Sequence, residues 1–91
     1  MSDICNDTSQ PIVVVSKNTV KVTSEMTLII SRETGYRYAS NYNQLPDEGF
    51  IDIGDEMVRF QHGDVSILMD SVEAERIAGM IIDKHNADQA V

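Results

Sequence analysis

Tryptophan is absent from this sequence and aromatic residues are scarce, three tyrosines and two phenylalanines in 91 residues. The core must therefore be built from Val, Ile, Leu and Met. Its stability margin is expected to be modest, and pairing with a second copy into a homodimer would raise it. The one cysteine, Cys5, excludes an internal disulfide and has no histidine or second cysteine close by in sequence. Long apolar runs are missing too. Ile12 to Val15 and Leu28 to Ile30 fall far short of the roughly 20 residues that a membrane-spanning helix needs. The opening MSDICNDTSQ holds two acids, no base and no apolar stretch, unlike a secretory signal, and points to the cytoplasm.

Bases are the scarcest charge: seven Lys and Arg stand against fifteen Asp and Glu, a net charge of −8. From Asp47 to Glu75 there are nine acids (Asp47, Glu48, Asp52, Asp55, Glu56, Asp64, Asp70, Glu73 and Glu75), with Arg59 the only base. Such a surface repels nucleic acid and anionic lipid, so direct binding to either is disfavoured and a basic protein partner is favoured.

Motifs for chemistry are also lacking. There is no glycine-rich phosphate loop, no serine nucleophile between glycines and no Cys/His pair at a metal or catalytic spacing. The acids of PDEGFIDIGDEMVRFQHGD do not follow the alternate-ligand spacing of a calcium loop, because Phe50, Ile51 and Ile53 fall where ligands or turn residues belong. His62 beside Gly63-Asp64 reads as a solvated turn tip. The expectation is a chain with no catalytic residues, no metal and no cofactor. A small metal-binding protein or enzyme is the remotest alternative.

What is present is a rhythm of strands. Residues 1 to 10 read as a disordered leader, 11 to 86 as one domain and 87 to 91 as a polar tail. Ile12 to Val15, Thr19 to Thr23 and Met26 to Ser31 read as strands, the first two joined by a turn at Ser16-Lys17-Asn18. Glu33-Thr34-Gly35 reads as a turn into a further strand, Tyr36 to Ala39, with both tyrosines on one face. Ser40 to Gly49 is a loop. Phe50 to Ile53, Met57 to Gln61 and Val65 to Met69 follow as strands, the last two around His62-Gly63-Asp64. Asp70 and Glu73 form a capping box for a helix whose apolar stripe is Ala74, Ile77, Ala78, Ile81 and Ile82, fraying near His85-Asn86. Gly79 in that helix suits a close approach to the sheet. No internal repeat appears. The predicted architecture is α+β: an antiparallel sheet of five or six strands followed by one C-terminal helix packed on one face.

Two features point to binding. Tyr36, Arg37, Tyr38 and Tyr42, with Asn41, Asn43 and Gln44, bring together residue types that dominate interface hot spots. Asp47, Glu48, Asp52, Asp55, Glu56 and Asp64 lie on or beside strands, whose alternate side chains are about 6.5–7 Å apart, near twice the per-strand phosphate spacing. Carboxylates so placed imitate a phosphate backbone, a partial DNA mimic. The expected function is that of a small acidic protein-binding or inhibitory accessory protein, phage or mobile-element encoded, aimed at the basic groove of a nucleic-acid-binding host protein. The alternative is a structural protein that forms a homo-oligomer through an exposed sheet face or edge.

Overall fold

The computed structural model describes residues 11–89. Three antiparallel strands, β1 (Ile12–Val15), β2 (Thr19–Thr23) and β3 (Thr27–Ser31), form a first sheet in the order β1-β2-β3. The helix α1 (Arg32–Ser40) follows. The strands β4 (Gly49–Gly54), β5 (Met57–His62) and β6 (Val65–Asp70) then form a second sheet in the order β4-β5-β6, and α2 (Ser71–Gln89) closes the chain. The expected single sheet of five or six strands with one C-terminal helix is overturned: there are two separate sheets with a helix between them.

The error lies in residues 32 to 40, where a turn and strand were expected and a helix stands. Ser31 is its N-cap, in extended backbone, with Oγ accepting from the Thr34 N–H at 3.1 Å. Glu33 in the first turn and Arg37 in the last complement the dipole. Gly35, Tyr38 and Ala39 fall at i, i+3 and i+4 and are buried on one face. Tyr36 and Tyr38 therefore point differently: Tyr38 is buried, whereas Tyr36 stacks on His85 of α2 with ring centroids 3.8 Å apart. Burial of that face outweighs the strand preference of the tyrosines.

The second helix starts as its sequence indicates, with Asp70 Oδ1 accepting from the Glu73 N–H at 2.9 Å. The Glu73 carboxylate holds Arg76 at 2.6 Å. The helix runs through the expected fraying point at His85-Asn86 to Gln89. Nothing lies within 4 Å of where a Cβ on Gly79 would sit, and the helical glycine that is closely packed is in α1: a Cβ on Gly35 would stand 2.8 Å from Val20 Cγ2.

The two halves share one plan, three strands in a meander and then a capped helix. Inward pairs Val20–Ile30 and Val22–Leu28 of the first sheet match Val58–Met69 and Phe60–Ile67 of the second. The N-caps match too, Ser31 with Asp70. In this alignment of the two units only Val20/Val58, Arg37/Arg76 and Ala39/Ala78 are identical from Thr19 to Ser40, which hides the repeat from inspection of the sequence. Each helix packs on its own sheet and on the first strand of the other half, α1 on β4 and α2 on β1, and the two helices pack on each other. Among the described residues all fifteen buried hydrophobic ones form one cluster, drawn from both sheets and both helices.

The outward faces repeat as well. Cross-strand register sets Val14, Lys21 and Ile29 in one row and Ile51, Arg59 and Leu68 in the corresponding row, each a cation between two aliphatic side chains. Ile12, Val14, Ile29, Ile53 and Leu68 are exposed.

Candidate functional site

Alternation along β5 turns Val58, Phe60 and His62 to the same side, so His62 continues the inward row to the edge of the core. There it meets α1. The Tyr38 ring lies edge-on to Phe60, and its hydroxyl is 2.8 Å from His62 Nδ1 and 3.4 Å from Glu48 Oε1. The other oxygen of Glu48 accepts from Arg37 at 2.7 Å, and the guanidinium lies 5.2 Å from the centre of the Tyr38 ring. Gly49 follows with φ +78°, and a Cβ there would stand 3.1 Å from the ring of Tyr38. The Arg37 hydrogen bond holds the Glu48 carboxyl below its ordinary range. Burial first, then the Glu48 charge, pushes the Tyr38 phenol up, so the ring stays neutral at physiological pH. The network ties the 41–48 loop to α1 and to β5.

The predicted partner-binding residues are divided by this geometry. Asp52, Asp55 and Glu56 lie at the β4–β5 turn. Glu48 and Asp64 lie at the opposite end of the second sheet, since Gly49 pairs with Gln61 just before the Gly63-Asp64 turn, and Asp47 precedes Glu48 there. A six-residue strand separates the two groups by about 20 Å. Tyr38 is in the core and Tyr42 stacks on Phe50 at 5.4 Å. Tyr36 lies against α2 and Arg37 is spent on Glu48.

The turn end is the richer in uncompensated charge. The Glu56 carbonyl accepts from the Ser71 N–H at 2.8 Å, and Met57 pairs with Asp70, which brings the turn beside the start of α2. Asp52 Oδ1 accepts from the Gly54 N–H at 2.9 Å, and Asn43 Oδ1 accepts from the Asp52 N–H at 3.0 Å. The charges of Glu75 and Asp52 add to burial in raising the Tyr42 phenol, whose oxygen is buried without a hydrogen-bond partner. Asp52, Asp55, Glu56, Asp70 and Glu75 thus all lie at this end of the second sheet, and among the described residues none of them is in an ion pair. Asp55 and Glu56 both have positive φ, 55° and 61°, the pattern of a type I′ hairpin turn that favours Asn, Asp or Gly first and Gly second, so Glu56 is the residue out of place.

Among the described residues no three His, Cys, Asp or Glu side chains are placed to hold a metal ion, and no helix is long and apolar enough to cross a membrane. Cys5 and the expected leader lie outside the described residues. The sequence reading missed the place of His62, although its parity with Val58 and Phe60 marks it. No protein-family model, curated protein or solved structure matches the chain significantly.

Proposed function

We propose that this is a stoichiometric, non-catalytic binding protein of the cytoplasm, an inhibitory accessory protein that sets an acidic surface against the basic groove of a nucleic-acid-binding host protein. A phage or mobile element is the source such a role implies. The carrying observation is the β4–β5 turn. Two acids occupy its left-handed positions, one of them Glu56 where Gly would be less strained, at the same end of the sheet as three further carboxylates that have no ion-pair partner among the described residues. Backbone strain kept at an exposed charged tip favours a contact role over solubility, which acids in unstrained positions would serve as well. The contact surface is therefore narrower than the full stretch from Asp47 to Glu75. It centres on Asp52, Asp55, Glu56, Asp70 and Glu75, and Asp47, Glu48 and Asp64 contribute at most a second, separate contact.

Affinity capture from host lysate at low salt, with and without an Asp55→Asn, Glu56→Asn pair, tests the reading. The intact protein is expected to retain a basic protein that elutes as ionic strength rises and that the double variant binds at least about tenfold more weakly. Equal retention by both proteins across the salt range would sink it.

A second reading, self-association into a homodimer through the outward sheet faces, is favoured by the exposed Val14, Ile29 and Leu68. Sedimentation equilibrium decides it: a monomeric mass at every concentration would remove the reading.

A further inference from the structure

A cleft of about 900 Å³ opens where the β1–β2 turn, the first turn of α1 and the last turns of α2 meet, remote in sequence from the acidic turn. Three of the seven bases in this acidic chain, Lys17, Arg32 and Lys84, line it, together with His85, Glu33 and Asp88. Among the described residues Arg32 is the one charged residue that is buried, its side chain 9% exposed. Its Nη1 donates to the Ser16 carbonyl at 2.6 Å and its Nη2 meets the Asp88 carboxylate at 2.9 Å, while its buried Nε has no partner. The positive end of the α1 dipole opens into the same space, through Ser31, Arg32 and Glu33.

Asp88 is out of place by ordinary helix rules. It sits in the last turn of α2, where the dipole disfavours an acid and where no base stands. The Arg32 hydrogen bond, then the charges of Lys84 and Lys17, hold its carboxyl below the ordinary range, so all three cations act on this one group. Its side chain is nonetheless 42% exposed, near the end of the helix. With Asp88 turned away, Glu33 would be the one acid left among the described residues that line the cleft.

We propose that the cleft is a binding site for a small phosphate monoester, whose dianionic phosphoryl group takes the place of the Asp88 carboxylate among Lys17, Arg32 and Lys84. The Nη2 of Arg32 supplies a directional donor and the two lysines supply charge. His85 is fixed by its stack on Tyr36 and borders the room left for the rest of the ligand. This site is independent of the acidic turn and stands or falls without it.

The test uses the full-length protein, with amide resonances followed by NMR as inorganic phosphate or adenosine monophosphate is added. Both probes are expected to move residues 16–18, 31–33 and 84–89, and sodium chloride at equal ionic strength to leave them in place. Asp88→Asn is expected to bind phosphate at least about tenfold more tightly, since the competing carboxylate is gone. A Lys17→Gln, Lys84→Gln pair, at exposed positions that leave the fold intact, is expected to lose the response. Tighter binding of the nucleotide would show that the cleft also holds the ester; equal binding would show that it reads the phosphoryl group alone. Unmoved resonances in both the wild type and Asp88→Asn, or an undiminished response in the double lysine variant, would overturn the proposal.

Discussion

At the scale of single residues the sharpest conflict is Glu56, an acid with φ of 61°. Left-handed backbone costs an ordinary L-residue about 1–2 kcal/mol, and glycine gives back about 0.5–1 kcal/mol through the greater freedom of the unfolded chain. Glu56→Gly is therefore expected to stabilise the fold by about 0.5–1 kcal/mol, measured by urea unfolding, while weakening the captured partner. A loss of stability would mean that the side chain makes a contact that outweighs the strain. Tyr42 is a second conflict, because its hydroxyl is buried with no partner. Removing such a group while keeping the ring on Phe50 should gain about 1 kcal/mol in Tyr42→Phe. Glu48 and Asp88 set the acid side. Their folded pKa values lie below the ordinary 4.5 and 3.8, so each contributes stability above those values that is lost as pH falls through the folded ones. Melting temperature should accordingly drop as pH falls below about 4.5, and Glu48→Gln should make that drop shallower. An unchanged slope would show that the Arg37 pair contributes nothing.

At the scale of elements, the two glycines that stand in helices separate cleanly. Both are helical, and replacement by alanine gains about 1 kcal/mol of helix propensity at either. At Gly79 the new methyl meets nothing, so Gly79→Ala should stabilise by about 0.5–1 kcal/mol. At Gly35 it would meet the fully buried Val20 at 2.8 Å. Overpacking there costs about 1–3 kcal/mol, enough to reverse the sign, and thermal denaturation of the two variants should move in opposite directions. The same pair explains how far the elements were legible. Six strands and α2 could be read because their alternation, the Asp70 cap and the stripe from Ala74 to Ile81 all agree. In α1 the signals disagreed: Gly35 reads as a turn and the tyrosines as strand, while the Ser31 cap and the spacing of Gly35, Tyr38 and Ala39 read as helix. Burial of the Gly35, Tyr38 and Ala39 face, with Gly35 set beside Val20, settles the conflict, and no local window contains it. His62 was within reach of alternation, whereas its hydrogen bond to Tyr38 depended on α1 and so was lost with it.

At the scale of the whole molecule, the two units are interlocked more than stacked. Each helix covers its own sheet and the first strand of the other unit, so cutting the 41–48 loop would leave both sheets half covered. The shares of the core are unequal. Nine of its fifteen residues (Phe50, Val58, Phe60, Ile67, Met69, Ala74, Ile77, Ala78 and Ile81) belong to the second unit and six to the first. Either half has about 45 residues, near the lower limit for a chain that folds without a partner. Because the units share one topology and their contacts are reciprocal, a second copy of α2 offers the second unit an apolar face like the one it loses with α1. Residues 1–46 alone are expected to show the circular dichroism of an unfolded chain. Residues 47–91 are expected to fold only as a dimer, with helicity that falls on dilution, and an equimolar mixture should return to the spectrum of the intact protein. A folded, monomeric second half would show that the α1–α2 contact is dispensable and that each sheet is held by its own helix alone.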